Sequence, residues 1–221
     1  HGSWPTPSNS GGTNLDDFYG HISDLLRQFG VPESQVASII RFLKAFNPTR
    51  DQLQYIIDAM GNSDTDGVAH ALRDMGVRQQ HIDDIINAIL RPALLDEISD
   101  ILRDMQVPDS TVNSIINFLD GFNPTAGQLQ YMIDALNNND MDGVRTALDN
   151  IGVSPNFIDD IMDAIRRPAQ LEEIKYLLQG LGVDEPSAQA IVAYIDSLNP
   201  SGDQLDDLIE ALRNFNPDTF R

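Results

Sequence analysis

Apolar residues along this chain recur at helical spacing. Val36, Ile39, Ile40 and Leu43 fall at i, i+3, i+4 and i+7, and so do Ile82, Ile85, Ile86 and Ile89. That period places each set on one side of an amphipathic helix. The stripes are interrupted at Gly-Val, Asn-Pro or Arg-Pro steps, and no alternation of period two persists long enough for a strand. Stripes this short cannot be buried one helix at a time, so neighbouring helices must stack. The predicted fold class is all-α: a helical repeat array or bundle of about thirteen short helices, built from five helix-turn-helix units.

The pattern also repeats as a whole. Phe46-Asn47-Pro48-Thr49 returns as Phe122-Asn123-Pro124-Thr125 and again as Leu198-Asn199-Pro200-Ser201, an offset of 76 residues each time. Residues 21–96 match residues 97–172 at 44 of 76 positions, and a shorter third copy occupies 173–221. Within each copy a smaller motif recurs. Leu26-x-x-Phe29-Gly30-Val31 has echoes at Leu72–Val77, Leu102–Val107, Leu148–Val153 and Leu178–Val183. A Gly after the last helical turn followed by an apolar residue predicts a Schellman stop. Gln106 replaces the Gly in one echo, so it must adopt a left-handed conformation at some cost or end its helix differently.

Other punctuation predicts helix starts. Pro48, Pro124 and Pro200 push the preceding Asn out of helical geometry. Thr49-x-x-Gln52, Thr125-x-x-Gln128 and Ser201-x-x-Gln204 then read as capping boxes. Pro92 and Pro168 fit the first turn of a further helix. Asp64-x-Asp66-Gly67 and Asp140-x-Asp142-Gly143 read as acid-rich helix starts. The expected organisation is a flexible Pro/Gly/Ser-rich leader over 1–13 and a single all-α repeat domain over 14–221, with copies 21–96, 97–172 and 173–221. His1-Gly2-Ser3 at its start resembles the remnant of an expression tag.

Charge narrows the partners. Thirty-four acids against fourteen bases give a formal net charge of −20. Nucleic acids and anionic membrane surfaces are recognised by clustered Lys and Arg, so both are excluded as expected partners. No apolar run is long enough to cross a membrane. There is no cysteine, hence no disulfide, thiolate metal site or cysteine nucleophile. Lys44 and Lys175 are the only lysines; this bias, by association with secreted matrix and silk-like proteins, favours an extracellular setting.

Candidate chemistry is sparse. Asn62-x-Asp64-x-Asp66-Gly67 and its counterpart Asn138-x-Asp140-x-Asp142-Gly143 match the first half of a calcium loop, which makes Asp64, Asp66, Asp140 and Asp142 weak metal candidates. The closing bidentate Glu at position twelve is replaced by Arg73 and Asp149, and helix capping is the preferred reading. His21, His70 and His81 are not kept between copies. Adjacent pairs such as Asp83-Asp84 and Asp159-Asp160 point about 100° apart on a helix and cannot face each other for acid–base work. No nucleophile set or phosphate-cradling loop is present, and no catalytic residue or cofactor is assigned. Phe42, Phe46 and Tyr55 return as Phe118, Phe122 and Tyr131, and are expected mostly in the core.

The expected function is that of a non-enzymatic structural or interaction protein. It would be an acidic helical repeat unit of a longer extracellular or assembling protein, responsive to pH, with itself or another protein as partner. A carrier of an apolar small molecule in an inter-helix cavity and a weakly calcium- or mineral-associated acidic protein are the alternatives.

Overall fold

The computed structural model describes residues 7–215, with side chains from Leu15 onward. Its described residues contain eleven α-helices and no strand: α1 (Pro7–Gln28), α2 (Glu33–Ala45), α3 (Arg50–Gly61), α4 (Thr65–Asp74), α5 (Gln79–Asp104), α6 (Asp109–Asp120), α7 (Ala126–Asn137), α8 (Met141–Ile151), α9 (Pro155–Gly180), α10 (Glu185–Ser197) and α11 (Gly202–Arg213). Contacts divide the chain into two compact units, His1–Leu94 and Leu95–Arg221, where the repeat suggests one continuous domain. The division falls inside α5.

Eleven helices replace the expected thirteen because Pro92 and Pro168 do not start helices. Each lies inside a continuous 26-residue helix, α5 or α9. An interior proline gives up one i→i−4 bond at a cost of about 3 kcal/mol. Burial on both sides of it offsets that cost. Ile82 and Ile89 are buried before Pro92, and Ile98 and Leu102 after it. Each such side chain contributes about 1.5–3 kcal/mol. Pro92 also serves the fold directly, because the turn at Gly30 rests on its ring. A Cβ added to Gly30 would sit 2.9 Å from the Pro92 Cβ.

Helix α1 begins at Pro7 and so takes in residues 7–13 of the segment expected to be a linker, while 1–6, with the tag-like residues, lie outside the described residues. From Leu15 and Phe18 onward, α1 packs apolar side chains on the first core, and its backbone hydrogen-bonding continues back to Pro7.

The local signals otherwise act as the sequence predicts. Val31, Val77, Val107, Val153 and Val183 each donate a backbone hydrogen bond to the carbonyl of the Leu five residues earlier, at 3.0–3.1 Å. The preceding residue is left-handed every time, with φ of 89°, 90°, 108° and 98° at the four glycines. Gln106 makes the same stop at φ 69°. A left-handed conformation costs a residue with a Cβ about 1–2 kcal/mol. We therefore expect Gln106→Gly to raise the thermal midpoint by roughly 2–4 °C, about 1 kcal/mol in a chain of this size, measurable by circular dichroism. Thr49, Thr125 and Ser201 each form complete capping boxes with Gln52, Gln128 and Gln204. Asn47, Asn123 and Asn199 leave the right-handed helical region for φ of 47°, 48° and 51°, a conformation Asn tolerates better than most residues.

In the first unit, α1 packs on α2 and α3, and α3 on α4. One core joins Ile22, Leu26, Val36, Leu53, Leu72 and Ile82. The second unit pairs α7 with α8, α8 with α9, and α9 with both α10 and α11. No described helix is long and apolar enough to cross a membrane.

Candidate interaction surface

The third repeat is formed by the C-terminal half of α9 with α10 and α11. Its core is small: Ile174, Val192, Leu205 and Ile209 are buried, with Leu171, Leu178, Ile195 and Leu212 partly buried around them. Caps define its helices. The Asp184 carboxylate accepts from the Ser187 amide at 3.2 Å, starting α10. The Ser201–Gln204 box starts α11.

A polar joint docks the start of α11 on α9. The buried Gln170 donates to the Gly202 carbonyl (2.9 Å) and to Asp206 (2.8 Å). The Gly202 amide donates to Asp163 at 2.9 Å, and Arg167 donates to the Pro200 carbonyl at 2.6 Å and to Asn199 at 3.0 Å. Arg166 completes the joint with an ion pair to Asp206. Burial pushes the Asp206 carboxyl up, but the hydrogen bond from Gln170 and the Arg166 guanidinium outweigh it, and its pKa lies below the ordinary value. The positions of Gln170 and Arg166 are both Leu one repeat earlier, Leu94 and Leu90. The contacts made by Gln170 and Arg166 therefore depart from the preceding copy, and comparison between copies would have found these two residues.

Among the described residues nothing covers the outward face of this repeat. Ile191 is 39 % exposed, whereas its counterparts Ile39 and Ile115 are 8 % and 7 % exposed. Tyr194 and Leu198 are 67 % and 62 % exposed. The positions matching Tyr194 carry Phe42 and Phe118, both half-buried under a neighbouring ring. Phe42 lies 5.1 Å from the His81 ring of α5, and Phe118 lies 5.3 Å from the Phe157 ring of α9. Round the repeat, Tyr176, Leu181, Leu212 and Phe215 line an open hollow of about 430 Å³. The matching Met60 and Leu136, counterparts of Leu212, are buried.

The other candidate residues are spread over the surface. The Asp64 and Asp140 carboxylates each accept from the amide three residues on, Gly67 and Gly143, at 2.9 Å, capping α4 and α8. A Cβ on Gly67 or Gly143 would meet that same carboxylate at 2.4 Å, which accounts for the glycine in both motifs. Asp66 and Asp142 are exposed in the first turns. No group of three metal-binding side chains occurs among the described residues. His70 lies 3.4 Å from Asp74 and 5.9 Å from the Tyr55 ring, and His21 is exposed elsewhere. Of the acid pairs, Asp83 accepts from Gln79 at 2.8 Å and Asp159 pairs with Arg145 at 2.9 Å. The aromatic set is less buried than its spacing suggests: Tyr55, Tyr131 and Phe122 are exposed. Helical spacing says which side chains share a stripe, and not whether a neighbour covers the stripe's edge. An open groove of about 290 Å³ runs between α6 and α9, lined by Ile115, Phe118, Phe157 and Ile161 among others.

No family model, no curated protein and no solved structure matches this chain.

Proposed function

We propose that the chain is a non-enzymatic structural or interaction protein: an acidic helical repeat unit, made of five related helix-turn-helix elements, that assembles with itself or another protein. The observation that supports this most is the open apolar face of the third repeat. Ile191 and Tyr194 stand in water where the earlier copies cover the matching side chain, and Leu198 beside them is exposed as well. Contiguous apolar exposure marks interaction sites. Association is responsive to pH, because a charge of −20 opposes it near neutrality.

Sedimentation velocity across pH and salt tests this reading, with and without polar replacement of Ile191, Tyr194 and Leu198. Intact chain is expected to associate as its charge is removed, and the polar variant much less so. A chain that stays monomeric throughout and captures no protein partner overturns the reading.

The α6–α9 groove supports a second reading, transport of an apolar small molecule stacked between Phe118 and Phe157. Native mass spectrometry of protein purified without detergent checks it. A clean unliganded mass overturns it.

A further inference from the structure

The groove between α6 and α9 carries a charge as well as an apolar lining. Ile115 and Ile161, each 7 % exposed, lie in it, and so do the rings of Phe118 and Phe157, 5.3 Å apart and tilted by 48°. Its polar lining is Thr111, Ser114 and Asp160, with no lysine or arginine. The Ser114 hydroxyl donates to the Ser110 carbonyl at 3.0 Å, so towards a ligand its oxygen can only accept. Asp159 pairs with Arg145 at 2.9 Å. Its neighbour Asp160 is exposed and takes part in no hydrogen bond or ion pair among the described residues.

The first copy supplies a built-in comparison. Ser38, Ile39, Phe42, Asp84 and Ile85 match the second copy's Ser114, Ile115, Phe118, Asp160 and Ile161 residue for residue. Two lining positions differ: Gln35 stands for Thr111 and His81 for Phe157. The second copy thus exchanges a long amide for a short hydroxyl and an imidazole for a phenyl ring. Both changes favour an apolar guest, and the carboxylate is kept.

These features select a ligand by charge. A phenyl face attracts a cation. The unpaired Asp160 does the same, and the net charge of −20 draws cations to the surface and repels carboxylates. A volume of about 290 Å³ suits only a small guest. We infer that the α6–α9 groove is a site for a small aryl-bearing organic ammonium. Its apolar body lies on Ile115, Ile161 and the two phenyl rings, and its ammonium pairs with Asp160. This rests on the small-molecule reading above and names the ligand class.

The test titrates the intact, isotopically labelled chain with 2-phenylethylammonium at pH 7 in about 0.15 M salt, followed by amide NMR shifts. Saturable binding in roughly the millimolar range is expected, with shifts centred on Phe118, Phe157 and Asp160. Neutral 2-phenylethanol should bind more weakly, and 3-phenylpropanoate and methylammonium not measurably. Asp160→Asn should weaken 2-phenylethylammonium about fivefold and leave 2-phenylethanol unchanged. Asp84→Asn removes the same charge from the first copy and should change neither, which separates a local ion pair from the general field. Phe157→Ala, at a side chain already 53 % exposed, should weaken the ammonium and the alcohol alike. Equal effects of Asp160→Asn and Asp84→Asn, or binding of 3-phenylpropanoate as strong as that of the ammonium, overturn the inference. If 2-phenylethanol still binds in either case, the apolar-ligand reading stands and only the ligand class is wrong. If neither aryl compound binds, both fall.

Discussion

Gly30→Ala is expected to lower the stability of the first unit by about 2–4 kcal/mol, far more than the same change at Gly76. Both glycines end a helix with the same Val hydrogen bond, and both are left-handed, at φ 89° and 90°. Each alanine therefore carries the same conformational cost, about 1–2 kcal/mol. Only Gly30 has a ring against it. Its new Cβ would lie 2.9 Å from the Pro92 Cβ and 3.6 Å from its Cγ, whereas Gly76 has nothing within 4 Å. Pro92 is held inside a continuous helix and cannot move aside cheaply. Overpacking of this kind adds about 1–3 kcal/mol. Urea unfolding of both variants measures the difference. Equal midpoints would show that the α5 helix yields at Pro92.

The second large effect is acid-induced association. Near pH 7 the charge of −20 disperses the molecules. As pH falls toward the sequence pI of about 4.2 that repulsion disappears, while the apolar face at Ile191, Tyr194 and Leu198 is unchanged. Some carboxylates work against the acid. The hydrogen bond from Arg27 holds Glu33 below its ordinary pKa, and the hydrogen bond from Ser187 does the same for Asp184. Asp206 is also lowered, by Gln170 and Arg166 against its partial burial. A carboxyl whose folded pKa is depressed contributes stability above its unfolded pKa, near 4, and loses it as pH falls through the folded pKa. Light scattering should therefore rise between about pH 5 and 4, as the net charge falls toward zero. High salt at pH 7 should produce part of the same rise by screening. Flat scattering from pH 7 to 4 would show that the open face does not associate under these conditions.

Much of the fold is readable in the residues because its signals are local. A Thr with a Gln three residues later, an Asn before a Pro and a Gly before a Val each act through bonds within a few residues, and each appears in the structure. Gln106 is instructive: its position in the motif outweighed its identity, and it took the left-handed conformation that its neighbours use Gly to reach. Pro92 and Pro168 misled for the opposite reason. Proline is a strong local stop, but here the helix on each side is held by burial farther away, at Ile82 and Ile98 for α5. The open surface was least readable. Ile39, Ile115 and Ile191 are identical residues in identical frames, and only the presence of a covering helix separates a buried one from an exposed one. The polar joint at Gln170 was visible in principle, since it breaks the Leu pattern of the preceding copy.

The unbroken α5 changes what counts as one module. A cut between residues 96 and 97, where the sequence copies are most naturally divided, severs a helix in its middle. A cut at the left-handed turns does not. Removing residues 77–152 would join Gly76 to Val153, restoring a Gly-Val stop and leading into an intact long helix. Arrays of this kind can therefore be lengthened or shortened in steps of 76 residues without a scar, provided that the splice falls in a turn. An exchange of genetic material placed there would change the number of copies while leaving every helix whole.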